Sequence, residues 1–283
     1  MAKKRTNRST VVNVLNFFIL LLLGTFMALP FIYVINNAFK PIGELFIFPP
    51  KLFVMNPTLD NFHDMFTIMS SSEVSFLRYV FNTVILTFTG TLGHVLIASL
   101  AAFVLAKYKF PFANLLFKTV ILSLMFAPQV TVIPNFLTIR NLGWMDNYAA
   151  IIIPAFAMPL GLFLMKQFME TMVPDTLVEA ADVEGAGLLQ IFFKIVMPMV
   201  KPAWLTVIIF SVQSLWNSSG NNFIYSEQLK TMQYALSQIL AGGIVRTGVS
   251  SAVSLIIMIV PISVFVLSQS SVVETMSSSG IKE

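Results

Sequence analysis

The 283-residue sequence contains no cysteine and only two histidines. That removes disulfide frameworks, thiolate metal sites, thiol nucleophiles and any metal-spaced histidine cluster. Charge is scarce too: Asp, Glu, Lys and Arg make up 11% of the residues, where a soluble domain carries about 25%. No G-x-x-x-x-G-K-[ST] phosphate loop occurs, so the chain cannot cradle ATP by that route. Paired acids inside apolar runs and nucleophile motifs are also missing, and the sequence reads as a non-enzyme.

What the sequence does hold is apolar: 57% of its residues are hydrophobic. About 20 such residues in a helix cross ~30 Å of hydrocarbon. Runs of that order predict an all-α integral membrane protein of about six spans, at 14–36, 79–105, 117–137, 148–165, 203–216 and 251–268. None has Asp, Glu, Lys or Arg well inside its apolar run, as the cost of charge in hydrocarbon requires. The fifth is the shortest, with room to continue through the polar 217–222 stretch. The first follows Lys3, Lys4, Arg5 and Arg8. Its apolar run exceeds the roughly 7–15 residues of a signal-peptide core and no A-x-A-like site follows, so it reads as a retained anchor.

Lys and Arg collect in the cytoplasmic loops of membrane proteins. With the N-terminus inside, the cytoplasmic set is Lys3, Lys4, Arg5, Arg8, Lys107, Lys109, Lys118, Lys166, Lys194, Lys201 and Lys282, which is 11 of the 17 basic residues. This predicts both termini in the cytoplasm, with residues 1–13 a cytoplasmic N-terminus, 37–78 an extracytoplasmic loop and 166–202 a cytoplasmic loop. Pro41, Pro49, Pro50 and Pro57 predict an extended, stiffened outer loop. Pro30, Pro128, Pro134, Pro154, Pro159 and Pro261 fall within the spans, where each removes a helix hydrogen bond. Kinked packing accounts for any one of them, but their density in the third and fourth spans favours a bundle lining a cavity.

One loop departs from the positive-inside pattern. Glu170, Asp175, Glu179, Asp182 and Glu184, five of the 13 acids, lie between Lys166 and Lys194 with no Lys or Arg among them. Pro174 and Asp175 suit a helix N-terminus. Leu177, Val178, Ala180 and Ala181 give an apolar stripe, and Gly185 a stop. The result is a helix of about three turns, either a solvated connector or a piece shaped for a basic socket on a partner.

Glu179-Ala180-Ala181, Gly185 after three intervening residues, and Ile195-Val196-Met197-Pro198 after nine more resemble the EAA signature of ABC importer permeases. Met197 stands where Leu is usual, and Asp182 and Glu184 replace the commoner Arg and Asp. The resemblance extends through Phe39-Lys40-Pro41, Glu44, Pro49-Pro50, residues 57–62, Arg78-Tyr79, Asn82-Thr83 and 99–102. It continues through Ile133-Pro134, Leu142-Gly143, Phe163-Leu164 and Trp216-Asn217. It is to the carbohydrate-uptake permeases, similar to the smaller, second membrane subunit of the maltose importer. Residues 218–222 and 275–280 depart from it.

The resemblance implies a multi-pass subunit in a bacterial cell (inner) membrane, with its EAA coupling helix between the fourth and fifth spans. A second homologous permease, two cytoplasmic ATPase subunits that bind the ATP, and an extracytoplasmic solute-binding protein are the expected partners. This chain holds no cofactor, and no nucleic acid is involved. Coupling falls to Glu179, Ala180, Ala181, Asp182, Gly185, Ile195 and Pro198: Glu179 docking on a basic group, the alanines permitting close contact, Gly185 turning the chain. For a carbohydrate, the amides, hydroxyls and aromatics near membrane depth are the pathway candidates: Asn82, Gln129, Gln213, Ser214, Trp216 and Asn217. Interhelical hydrogen bonds or interfacial anchoring are the alternative roles for each. A non-sugar solute is the other reading within this class. An ion-coupled transporter is a rival outside it, but intramembrane acids are lacking and His94, packed or on the pathway, is the clear ionisable candidate.

Overall fold

The computed structural model describes residues 10–70 and 74–279. Lys3, Lys4, Arg5, Arg8, Gly280 and Lys282 lie outside the described residues. In chain order the helices are α1 (Thr10–Phe39), α2 (Ile42–Leu45), α3 (Asp60–Ser70), α4 (Phe76–Lys107), α5 (Ala113–Leu124) and α6 (Pro128–Asn141). They continue as α7 (Ala149–Phe156), α8 (Pro159–Met172), α9 (Asp175–Val183), α10 (Leu188–Ile191), α11 (Met197–Met199), α12 (Lys201–Trp216), α13 (Met232–Ala241) and α14 (Thr247–Ser279). No strand occurs among the described residues, so the fold is all-α.

Val12–Phe39, Phe76–Lys107, Ala149–Met172 and Thr247–Gln269 are each long and apolar enough to cross a membrane. Two bent pairs bring the number to six if each is one span. The expected straight helix at 117–137 is not one: α5 and α6 meet at 112°. Ala127 is extended, at φ −66 and ψ 138, as a residue before proline prefers, and Pro128 then opens α6. The fifth span ends at Trp216 rather than running on through 217–222, since Gly220 takes φ +65, a left-handed value a helix cannot include. At 16 residues, α12 is about 24 Å long.

The chain divides into two compact units, residues 1–68 with 239–256 and residues 69–238 with 257–283. In the first, the outer loop is folded rather than extended. The Asn61 amide donates to the carbonyls of Ala38 (3.0 Å) and Lys40 (2.7 Å), occupying acceptors that the end of α1 leaves free. Glu44 accepts from the Met55 and Asn56 amides, and Phe39 packs on Phe62 at 5.2 Å. Asp60 in the first turn of α3 favours the helix dipole. Along α1 the apolar side chains stay bare, Leu22 and Phe26 each 70% exposed, which suits lipid and not water.

The second unit is built on α4, against which α7, α8 and α12 pack. Phe103, Met165, Met169, Phe192, Val196 and Val207 form its largest buried cluster. Glycines allow the approach. A Cβ on Gly93 would stand 2.0 Å from the Phe156 ring, and one on Gly161 2.2 Å from His94 Nε2. His94 itself is 2% exposed and held on both ring nitrogens, by Ser211 Oγ at 2.5 Å and the Met158 carbonyl at 3.1 Å. It cannot swing aside cheaply. Gly161→Ala is therefore expected to cost about 1–3 kcal/mol through overpacking, read as a lower thermal midpoint in detergent. Gly24→Ala, with open space around it, is the control that leaves the midpoint in place. Equal midpoints for both variants would contradict this account of the α4–α8 contact.

Candidate functional site: the acidic loop helix and the membrane cavities

α9 begins at Pro174, whose backbone is extended, and is pinned there by a residue far back in the chain. Lys107, at the end of α4, places Nζ 2.7 Å from Asp175 Oδ1 and 2.5 Å from the Val173 carbonyl. The lysine side chain is 3% exposed and the aspartate 76%, so the bond fixes the base of an exposed helix to the buried end of a long one. The hydrogen bond from Lys107, then its charge, holds the Asp175 carboxyl below the ordinary 3.8. A depressed acid contributes stability above its unfolded value and loses it only as pH falls through the lower folded one. The clamp is thus intact at neutral pH and released on acidification below 3.8.

The expected apolar stripe on α9 splits between two faces. Val178 and Ala181 turn inward and are buried in the unit's own core. Leu177, Glu179, Ala180, Asp182 and Glu184 are exposed, and Val183 is 89% exposed. Ala181 is thus a packing residue here, and Ala180 alone offers a small exposed surface beside Glu179. The helix stops with the Gly185 amide on the Asp182 carbonyl and the Ala186 amide on the Ala181 carbonyl, the paired bonds of a Schellman turn. Gly185 takes φ +81, which a residue with a Cβ adopts only under strain. Past the turn, Phe192–Val196 widen into a π-helical segment before Pro198. Proline has no amide for the Lys194 carbonyl and its ring crowds that oxygen; the Met197 amide reaches back to Phe192 instead. Ile195 is half-buried and Pro198 exposed.

Two adjoining cavities share Pro154, Met158 and Ser214 in their walls. The larger, about 890 Å³, lies among α5, α6, the α7–α8 break and α12, and reaches His94, Asn135, Phe210 and Gln213. The smaller, about 460 Å³, lies against the end of α12 and includes Asn217, Ser219, Asn221 and Asn222. Of the pathway candidates, Gln213, Ser214 and Asn217 line one cavity or both, and Gln129 is exposed but lines neither. Asn82 is fully buried: its amide donates to the Gln228 (2.8 Å) and Lys230 (2.7 Å) carbonyls and its oxygen accepts from Tyr148. Trp216 is also buried, its indole N–H 2.7 Å from the Ile257 carbonyl. That carbonyl lies four residues before Pro261, which has no amide to offer it.

Sequence reasoning missed the Lys107 clamp, the cavity-lining Asn135, and a latch at the other end of the unit. There Asp146, at φ +56, accepts from the Tyr225 and Ser226 amides and the Ser226 hydroxyl. The Ser226 hydroxyl, then its amide, holds the Asp146 carboxyl below its usual range. A polar residue inside an apolar run, as at Asn135, was the readable signal; the clamp and latch left none.

A family profile described as "Binding-protein-dependent transport system inner membrane component" matches residues 94–275. The sn-glycerol-3-phosphate transport system permease protein UgpE of Escherichia coli O1:K1 / APEC is 31% identical over 175 residues, 62% of this chain and 62% of that protein. The match thus spans less than two thirds of that relative's length. Protein LplC of Bacillus subtilis (strain 168) is 32% identical over 225 residues, 78% of this chain and 72% of its own. In fold, the chain superposes at a TM-score of 0.79 and 21% identity on a chain from the crystal structure of a bacterial ABC transporter involved in the import of the acidic polysaccharide alginate, covering 95% of this chain and 99% of that one.

Lys107→Met deletes both bonds at the base of α9. Amide exchange over 175–183 is expected to speed about five-fold, the equivalent of about 1 kcal/mol for an ion pair with one exposed partner. Lys109→Met, whose charge acts on Asp175 only at a distance, should change it less than about two-fold. Equal exchange in Lys107→Met and the unaltered protein would remove the clamp.

Proposed function

The chain belongs to the family of binding-protein-dependent transport system inner membrane components, and from that membership we propose that it is one permease subunit of an ABC importer, coupled to separate ATPase subunits through α9. A component of this family is membrane-embedded and is not an enzyme. The supporting observation is the construction of α9: clamped at its base by Lys107, seated on the core by Val178 and Ala181, stopped by Gly185, with Glu179 and Ala180 left bare. An exposed short helix held this stiffly passes a push from a docked partner into α4 and α8. Such a push shifts the transport equilibrium only if the partner's contacts differ between two states.

In this reading Glu179 meets a basic group on the ATPase, and Ala180 lets the surfaces close. Gly185, Ile195 and Pro198 then return the chain to the membrane. Asp182 adds negative charge to the same face. ATP is held and hydrolysed by two cytoplasmic partner subunits. A second homologous permease completes the pathway, and an extracytoplasmic binding protein delivers the solute. The charge distribution supports both termini in the cytoplasm of a bacterial inner membrane. The solute is a carbohydrate, supported by the run of carbohydrate-permease features from Phe39 to Asn217 and by Gln213, Ser214 and Asn217 in the cavity walls. Asn82 and Trp216, engaged by backbone carbonyls, shape the walls from behind.

Glu179→Lys reverses the charge on the exposed face, and Gly185→Pro forbids the positive φ that ends the helix. Both are expected to cut solute uptake to below about a tenth, a loss of at least ~1.4 kcal/mol in coupling, with normal membrane insertion and reduced co-purification of the ATPase. Wild-type uptake and full ATPase recovery in both variants would refute the docking role.

A further inference from the structure

Resting on that import reading, we infer that this chain's share of the pathway is built for an uncharged, polyhydroxylated solute, and that Ser214, Asn217, Asn221 and Asn222 are its hydrogen-bonding contacts. Relatives in sequence or fold are described by anionic cargo, a glycerol phosphate in one case and an acidic polysaccharide in another. The walls here are differently made. Among the described residues, neither cavity is lined by any Asp, Glu, Lys or Arg.

A phosphate or uronate moving through a low-dielectric passage needs a cation or several converging N–H donors, because an unpaired buried charge is costly. His94, the titratable group in the larger cavity, has both ring nitrogens taken by Ser211 and the Met158 carbonyl. Ser211 Oγ in turn gives its one proton to the Val207 carbonyl at 2.7 Å, so the ring is held in a chain of hydrogen bonds. The imidazole is then a fixed strut with neither ring nitrogen free to meet a solute.

The polar groups that are present suit hydroxyls. The side chains of Ser214, Ser219, Asn221 and Asn222 have no hydrogen-bond partner among the described residues. Asn217 gives one amide proton to the Gln213 carbonyl and keeps its oxygen. A carboxamide both donates and accepts, as a sugar hydroxyl does. Phe223 in the smaller cavity and Phe126 and Phe210 in the larger supply apolar faces for the C–H surfaces of a sugar ring.

The test uses the complete importer in proteoliposomes with its binding protein, measuring solute-stimulated ATP hydrolysis. The probes are a panel of neutral oligosaccharides, alginate oligosaccharides and sn-glycerol 3-phosphate. Neutral oligosaccharides are expected to stimulate at least about five-fold and the two anions not at all. In the double variant Asn221→Ala with Asn222→Ala, the half-saturating concentration of the active oligosaccharide is expected to rise about ten-fold, a factor equivalent to 1.4 kcal/mol. Stimulation by an anion, or by no neutral saccharide, overturns the solute class, and an unmoved half-saturating concentration removes the asparagines. The import reading fails by a different sign: no ATPase assembles with the chain.

Discussion

Within hydrocarbon a backbone carbonyl has no water to turn to, so each one that a proline deprives of its amide must be answered from elsewhere in the protein. The bond from the Trp216 indole to the Ile257 carbonyl is the clearest instance. Pro261 interrupts α14 and frees that oxygen, and Trp216, at the last position of α12, supplies the N–H. The same constraint shapes the rest of the second unit. Before Pro198 the helix widens so that Met197 can reach Phe192. At the α7–α8 break, opened by Pro154 and Pro159, His94 joins the Met158 carbonyl. The cavities lie beside that break: irregular backbone at membrane depth occurs where a space has to be lined.

Coupling depends on stiffness at the other end. A nine-residue helix is below the length at which helices are stable alone, so α9 owes its order to Lys107 below it, Val178 and Ala181 behind it and the turn at Gly185. Those three restraints leave the rest of the helix bare, where acids and the small Ala180 stand beside the exposed Leu177 and Val183. Force applied there reaches α4 through an ion pair and α8 through the shared apolar core, the same two helices whose glycine-permitted contact holds His94.

Much of this was legible in the sequence, and the rest was hidden for physical reasons. The long apolar runs at 14–36, 79–105, 148–165 and 251–268 each match, to within a residue at Tyr148, a helix or helix pair long enough to cross, because length and apolarity are local properties. The third and fifth were misjudged in shape. Pro128 broke one by 112°, and a left-handed Gly220 stopped the other. α9 was found from its acids and its glycine, but which alanine faces outward depends on what α9 packs against. Lys107 and Asp175 are 68 residues apart, and Asn82 meets carbonyls 146 and 148 residues away. No local pattern announces either contact.

The central claim, that the bare face of α9 is the docking surface, can be measured directly because the chain has no cysteine of its own. Single cysteines at Ala180 and Ala181 sit side by side in sequence, one exposed and one 7% exposed. In assembled importer treated with a short bifunctional maleimide, the cysteine at 180 should link to the ATPase subunit, and that at 181 should link at least about ten-fold less, as burial demands. Equal linking from both positions, or none from 180 while ATPase remains bound, would contradict the account.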